Sequence, residues 1–452
     1  MISRRTLLAG AAAGAATGAT AQPGRTVPRP IGSLGLDAAE FGLRPGATED
    51  QSATLRKALA AAASRQAPLL IGPGRYRIAD VALPDGARLI GIAGATRLVA
   101  ARNAPLLTAR GHKAISVEGL DLDGLGIPLA QQTGLIHCDD VERIALDDVT
   151  FVEAGTVGLS LRRTGGRVER CRFLRMRDSA LFSLDSRGLD IAANEVADCG
   201  NNGIQIWRSQ PGDDRSTVRA NRVERIRSDG GGDGPNGNGI STYRAGGVIV
   251  EGNQLRDCAL TFIRNNSGSG VQMLGNQGRR CGEVGLYSEF AFEGAVMANN
   301  LVEDCAAGAT MTNLDHGGRL SVFANNIIRN AKRGFASGGT EPIGGFGVHV
   351  EAEAAVTGNV IEGASDTGIA LGWSWGMRNL SATGNVIRRT GIGISVSLVP
   401  KERNALIANN LIAEASRGAV VGTEYGRAVT GDLIRGNDPR ASGVRIENNT
   451  AG

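Results

Sequence analysis

Down the last two-thirds of the chain a short phrase recurs: a small apolar strand, then Asn, any residue, and an aliphatic residue. Its asparagines are Asn194, Asn221, Asn253, Asn276, Asn300, Asn326, Asn359, Asn385, Asn410 and Asn449. Only the copies at Asn276 and Asn449 lose the aliphatic residue, having Gly278 and Ala451 there. Successive copies lie 27, 32, 23, 24, 26, 33, 26, 25 and 39 residues apart. A minimum repeat with elastic insertions is what stacked coils produce, because each turn costs a fixed length and extra residues bulge out as loops. Leu120, Val149 and Cys171 occupy the same slot in earlier copies, so ten asparagines and these three make 13 rungs. At one strand spacing per rung the rod is on the order of 60 Å long.

Each rung carries a strand leading into the Asn, such as Val248-Ile249-Val250, then the Asn turn. A Gly-aliphatic-x-aliphatic strand follows, as in Gly203-Ile204-Gln205-Ile206 and Gly368-Ile369-Ala370-Leu371. Alternation at period two sends one set of side chains inward and the other outward. The 66 glycines and 4% aromatic content suit tight corners and thin stacked strands rather than a thick core. Asn suits the corner because it tolerates left-handed backbone and its amide both donates and accepts. The asparagines are therefore read as a structural ladder, not as catalysts. Cys199, Cys258, Cys281 and Cys305 each follow their Asn by five residues, where other rungs place Ile226, Ala331 or Ala364; they read as buried filler with free thiols.

The formal charge of +4 leaves no nucleic-acid footprint. The basic stretch from Arg162 to Arg187 is interleaved with acids and reads as a solvated face. No CxxC or His-Cys spacing marks a metal site. The loop Asp229–Asn238 offers oxygen ligands but fits no calcium motif, and reads as flexible. His112, His137 and His349 stand singly, each in a satisfied surface or core role.

Four segments are expected: residues 1–21 an export signal, 22–30 a flexible leader, 31–109 a cap with the first coils, and 110–452 the repeats. Thr48 and Gln51 form a capping-box signal, and Leu55, Leu59 and Ala62 then share a face. A helix over 49–64 is predicted, covering the open end of the first coils, which would otherwise expose core and strand edges.

Ser3-Arg4-Arg5-Thr6-Leu7-Leu8-Ala9, with its following Ala/Gly run and Ala19-Thr20-Ala21, resembles the twin-arginine (Tat) export signal. That run is too short and too poor in large residues to remain as a membrane span. Glu40-Phe41-Gly42-Leu43-Arg44-Pro45-Gly46-Ala47-Thr48-Glu49-Asp50-Gln51 resembles the start of pectate-lyase-3-type and tailspike-type proteins, and Pro73-Gly74-Arg75-Tyr76 their next turn. With the repeats, these features resemble a right-handed parallel β-helix of the pectate-lyase-like superfamily, and more narrowly the Tat-translocated repetitive proteins. The resemblance implies an all-β, single-stranded solenoid with an N-terminal capping helix, and a periplasmic or secreted location. It carries over no activity and no cofactor; a cofactor carrier is suggested by the export route alone.

Enzymes of this fold keep their site along one outer face, where adjacent rungs align. Here that face is expected to present Trp207 and Arg208, then Tyr243 and Arg244, Arg264 with Asn265 and Asn266, Tyr287 and Glu289, and finally Asp315 and His316. Aromatic faces beside Arg, Asn and carboxylates suit a glycan, acidic or neutral. Trp207, Arg208, Tyr243, Arg244, Asn265 and Asn266 are the candidate binding residues. Asp315, His316, Tyr287, Glu289 and Arg264 are the catalytic candidates, since Thr312–His316 is similar to the Asp-Pro-His motif of alginate-epimerase-type β-helices, without its Pro. That chemistry takes a proton α to a uronate carboxylate while a cation neutralises it; by analogy His316 or Tyr287 would move protons and Arg264 would meet the carboxylate. The expected partner is a polysaccharide, modified by a lyase-, epimerase- or hydrolase-like activity or only bound. The alternative is a non-catalytic envelope or interaction protein.

Overall fold

A computed structural model describes residues 35–232, 234–312, 316–335, 342–400 and 403–452. The segments expected as export signal and leader, and Asp315, therefore lie outside the described residues. The chain winds as a parallel β-helix of about 13 turns with one helix near its N-terminus. Three faces of stacked strands run its length, and Leu122, Phe151, Phe173, Val196, Val223 and Leu255 form one inward column in successive register. Phe151 and Phe173 stack at 4.5 Å between ring centroids.

The Asn ladder is continuous. Every Asn from Asn194 to Asn410 donates its backbone N–H and a side-chain N–H to the Oδ1 of the next, as Asn253 does to Asn276 at 3.0 and 2.9 Å. Its other amide hydrogen goes to a carbonyl of the preceding coil, Val218 in that case, at 2.9 Å. The left-handed residue, however, is the one before each Asn: Ala193, Ala220, Asn299 and Asn325 have φ between +54° and +59°, and Gly252, Gly275, Gly358 and Gly384 stand at the same place. The Asn is selected by its amide bonds, and the backbone strain falls on its neighbour.

The helix spans Ser52–Ser64 and buries Leu55, Ala58, Leu59 and Ala62 against the first strands. It starts three residues later than the capping box predicts. Gln51 makes no cap bond; its amide is held by Arg44, accepting from the backbone N–H at 2.8 Å and donating to the carbonyl at 3.0 Å. Asp50 takes over the role, accepting from the Ser52 N–H at 2.9 Å. At the other end Val420–Glu424 pairs antiparallel with Arg427–Asp432. Part of the 422–443 insertion thus covers the last strand of its face, with Asp432 accepting from the Ala419 and Val420 N–H groups.

The cysteines are buried and free, and Cys258, Cys281 and Cys305 stack in register. The Arg162–Arg187 stretch bonds across rungs, as in Arg163–Asp139 and Arg175–Glu153. Among the described residues no helix is long and apolar enough to cross a membrane.

Candidate active site on the outer face

The Gly-aliphatic strands build one wall. Two outward columns run up it. One carries Gln205, Ser241, Arg264, Tyr287, Thr310 and His349, in successive register. The other carries Trp207, Tyr243, Asn266 and Glu289, followed by Thr312 and Glu351 at the same step of the next two rungs. So Trp207, Tyr243, Arg264, Asn266, Tyr287 and Glu289 do share one surface, as the repeat implies.

At its lower end the wall is aromatic. Trp207 lies tilted against Tyr243 at 5.5 Å, edge-on to Phe182 at 5.7 Å, and its indole N–H donates to Ser241 Oγ at 3.3 Å. The Arg244 guanidinium sits 4.7 Å from the Tyr243 ring centroid and donates to the Ser209 carbonyl. Arg208 turns back to the Ser186 carbonyl. Asn265 is different: it is fully buried and points inward. It accepts from the Thr242 hydroxyl at 2.9 Å and from the Gly268 N–H, and donates to the Gly268 carbonyl and Ser288 Oγ. Standing between outward Arg264 and Asn266, it belongs by alternation to the interior and cannot face a ligand on the wall.

Higher up, Arg264 and Glu289 form a buried ion pair. Arg264 Nε donates to Glu289 Oε1 at 2.6 Å, its NH2 lies 2.5 Å from the same oxygen, and NH1 is 3.8 Å from Glu283. Asn266 also donates to Glu289, at 3.0 Å. Burial pushes the Glu289 carboxyl above its ordinary pKa, against the pull of Arg264, and burial beside Glu289 pushes the Tyr287 phenol far up. Gly234 lies directly on the guanidinium, where a Cβ would come within 2.5 Å of it. This loop is therefore not a loose span: Gly230 N–H and Asn238 N–H donate to Asn201 and Asn202, and Asn202 donates to the Pro235 carbonyl. No group of three or more possible metal ligands clusters among the described residues.

Above the ion pair opens a cleft of about 340 Å³. Tyr287, Thr310 and His349 line its floor, Glu283, Thr312 and Glu351 its sides, and Phe346 and Trp373 its rim. Gly344 lets the rim close down, since a Cβ there would meet the Ala306 carbonyl oxygen at 2.1 Å. His349 is 9% exposed; its ring lies between Phe346 and Trp373, at 5.7 and 6.2 Å, and Nε2 is 3.9 Å from Glu351. Burial depresses its pKa, with Glu351 opposing. His316, by contrast, is exposed and packs edge-on to Phe290 at the corner beyond Glu289, and is not among the cleft's lining residues.

His349, Glu351 and Glu283 were missed from the sequence. Gly347-Val348-His349-Val350 repeats the Gly-aliphatic-x-aliphatic phrase, which would have put His349 at the outward position; the long insertion before it hid the copy. A depression of about 390 Å³ on another face is lined by Arg222, Glu224, Arg256, Arg279 and Glu303. Its charges pair across rungs, as in Arg256–Glu224 and Arg329–Glu303, and it reads as a self-satisfied surface.

The family model for the right handed beta helix region matches residues 157–387. The chain belongs to the right-handed β-helix family. No curated protein matches it. Among solved structures it is similar to a tailspike protein mutant of E. coli bacteriophage HK620 in complex with a pentasaccharide. That match has 10% identity and a TM-score of 0.55, and covers 93% of this chain and 79% of the tailspike. It is also similar to PfbA, a surface adhesin of Streptococcus pneumoniae, at 14% identity, 88% and 93% coverage and a TM-score of 0.49. The catalytic unit of an α-1,3-glucanase from Streptomyces thermodiastaticus follows at 13% identity, 94% and 69% coverage and a TM-score of 0.46. At its identity the likeness to the tailspike shows the fold alone.

Proposed function

We propose that this right-handed β-helix protein is exported, binds a polysaccharide lengthwise along the Trp207–Trp373 wall, and modifies it in the cleft. The observation that carries this is the register: aromatic and polar side chains from consecutive rungs stand one strand spacing apart, about 5 Å, close to the repeat of a sugar chain. Sugar rings stack on the half-buried aromatic side chains Trp207 and Tyr243, and their hydroxyls bond Asn266 and the cleft groups. The tailspike with its pentasaccharide is a neighbour of the same fold, and supports the reading as a precedent for sugar on this architecture.

Within the cleft His349 stands beside Glu351, uncharged at neutral pH through burial, as a group able to take a proton. Tyr287 and Glu289 supply a phenol and a carboxyl two residues apart on one strand. Arg264 holds Glu289 in place rather than meeting a ligand, because its guanidinium is spent on Glu289 and Glu283. Export by the Tat route to the periplasm or beyond rests on the Arg4-Arg5 signal. It is tested by fusing residues 1–30 to a reporter: replacing both arginines by Lys should abolish export.

The glycan reading is tested on an array of acidic and neutral polysaccharides, with a parallel assay for new reducing ends and unsaturated uronate. Binding weakened about tenfold or more by Trp207→Ala would support it, the size expected when an aromatic stacking platform is lost. Silence across the array would refute it. Binding without turnover would leave a binding protein in place of an enzyme.

A further inference from the structure

Resting on the glycan reading, we infer that the cleft takes a neutral, hydroxyl-rich sugar residue and rejects a uronate, with Thr310 and His349 as its direct polar contacts. This narrows the substrate class of the site and reverses the uronate chemistry implied by the epimerase-like motif.

The first argument is charge. No Lys or Arg is among the described residues lining the cleft, whereas Glu283 and Glu351 are, and Glu289 lies just below. Both Glu283 and Glu351 have bonding partners within the protein. Arg264, whose guanidinium carbon is 5.1 Å from the ring centroid of Tyr287, is 7% exposed, bonded to Glu289 and roofed by Gly234. His349 adds no positive charge near neutrality, because burial favours its uncharged form. A sugar carboxylate entering here would leave water, approach carboxylates, and meet no unpaired counter-charge among the described residues.

The second argument is independent and points to a ligand. Thr310 and His349 are each more than nine-tenths buried, yet Thr310 Oγ1 and His349 Nε2 have no hydrogen-bond partner. They are register partners on adjacent rungs and both line the cleft. Two orphaned polar atoms side by side in one cavity are costly unless something that both donates and accepts reaches them. Sugar hydroxyls do both, and at about one strand spacing the pair brackets two hydroxyls of one ring. Trp373, 39% exposed, stands on the rim to take the apolar face of that ring.

The test is titration calorimetry of the mature protein against neutral glucans, branched and linear, and against polygalacturonate and alginate. A neutral glucan is expected to bind at least tenfold tighter than either uronate. Thr310→Val and His349→Ala should each weaken neutral binding about fivefold or more with unchanged circular dichroism. Glu351→Gln, which removes a negative charge, should raise uronate affinity while retaining the fold. Tight uronate binding abolished by Trp373→Ala would overturn the neutral-sugar inference while leaving the glycan reading intact. Neutral binding indifferent to both Thr310→Val and His349→Ala would overturn the assignment of contacts. Failure to bind either class would overturn the glycan reading itself.

Discussion

Replacing Asn276 by Ala tests the ladder at its middle. Asn276 is 2% exposed. Its Oδ1 accepts from the backbone N–H and a side-chain N–H of Asn253, at 3.0 and 2.9 Å. Its own amide donates to the Val250 carbonyl and to Asn300 Oδ1, at 2.9 and 3.1 Å. Truncation leaves two buried donors on Asn253 without their shared acceptor. At about 1–3 kcal/mol for each buried group left unsatisfied, the cost is about 2–6 kcal/mol. Asn449 is the internal control: it makes the same contacts to Asn410, but at the half-buried last rung. Water replaces its amide there, so Asn449→Ala should cost less than about 1 kcal/mol. Urea unfolding followed by circular dichroism reads both, with the slope checked because stacked repeats unfold as one unit only while neighbours remain coupled. Equal shifts for the two variants, or an Asn276→Ala shift within about 0.5 kcal/mol of the parent, would refute the argument that buried amide bonding selects Asn.

Three further perturbations follow from the same packing. Glu289→Ala leaves the buried Arg264 guanidinium with Glu283 at 3.8 Å in place of its bonded carboxylate and should destabilise by about 3 kcal/mol, the low end for breaking a buried pair, measured by the same unfolding assay; a neutral effect would mean that the pair is open to water. Phe173→Ala opens a cavity beneath the Phe151 ring and should cost about 3–5 kcal/mol in that assay. Burial pushes the Cys138, Cys171 and Cys199 thiols up to about 12. Their folded-state pKa is raised, so the stabilisation is complete below the unfolded value near 9 and is lost as pH climbs toward 12. Stability should fall between about pH 8 and about pH 10 by on the order of 1 kcal/mol per thiol, and Cys199→Ala should blunt that fall.

The repeat, the Asn ladder, the stacked cysteines and the capping helix were all legible in the amino-acid order. In a solenoid each rung meets the same two neighbours, so a residue's environment recurs at its slot and shows as periodicity. Period-two alternation, read strictly, also turns Asn265 inward between Arg264 and Asn266. Three things only the tertiary structure decided. The left-handed corner falls on Ala193 and Ala220, residues with no composition signal for it, because the next residue must aim its amide along the axis. The 229–238 loop, flexible by composition, is pinned by Asn201 and Asn202 and seals Arg264 into an ion pair. His349, far along the chain from Tyr287, lands two rungs above it on the same column, while His316 stays at a corner. Slots repeat along the sequence, but a site needs side chains from different rungs in one cavity, and insertions of unequal length decide which rungs those are and what covers them.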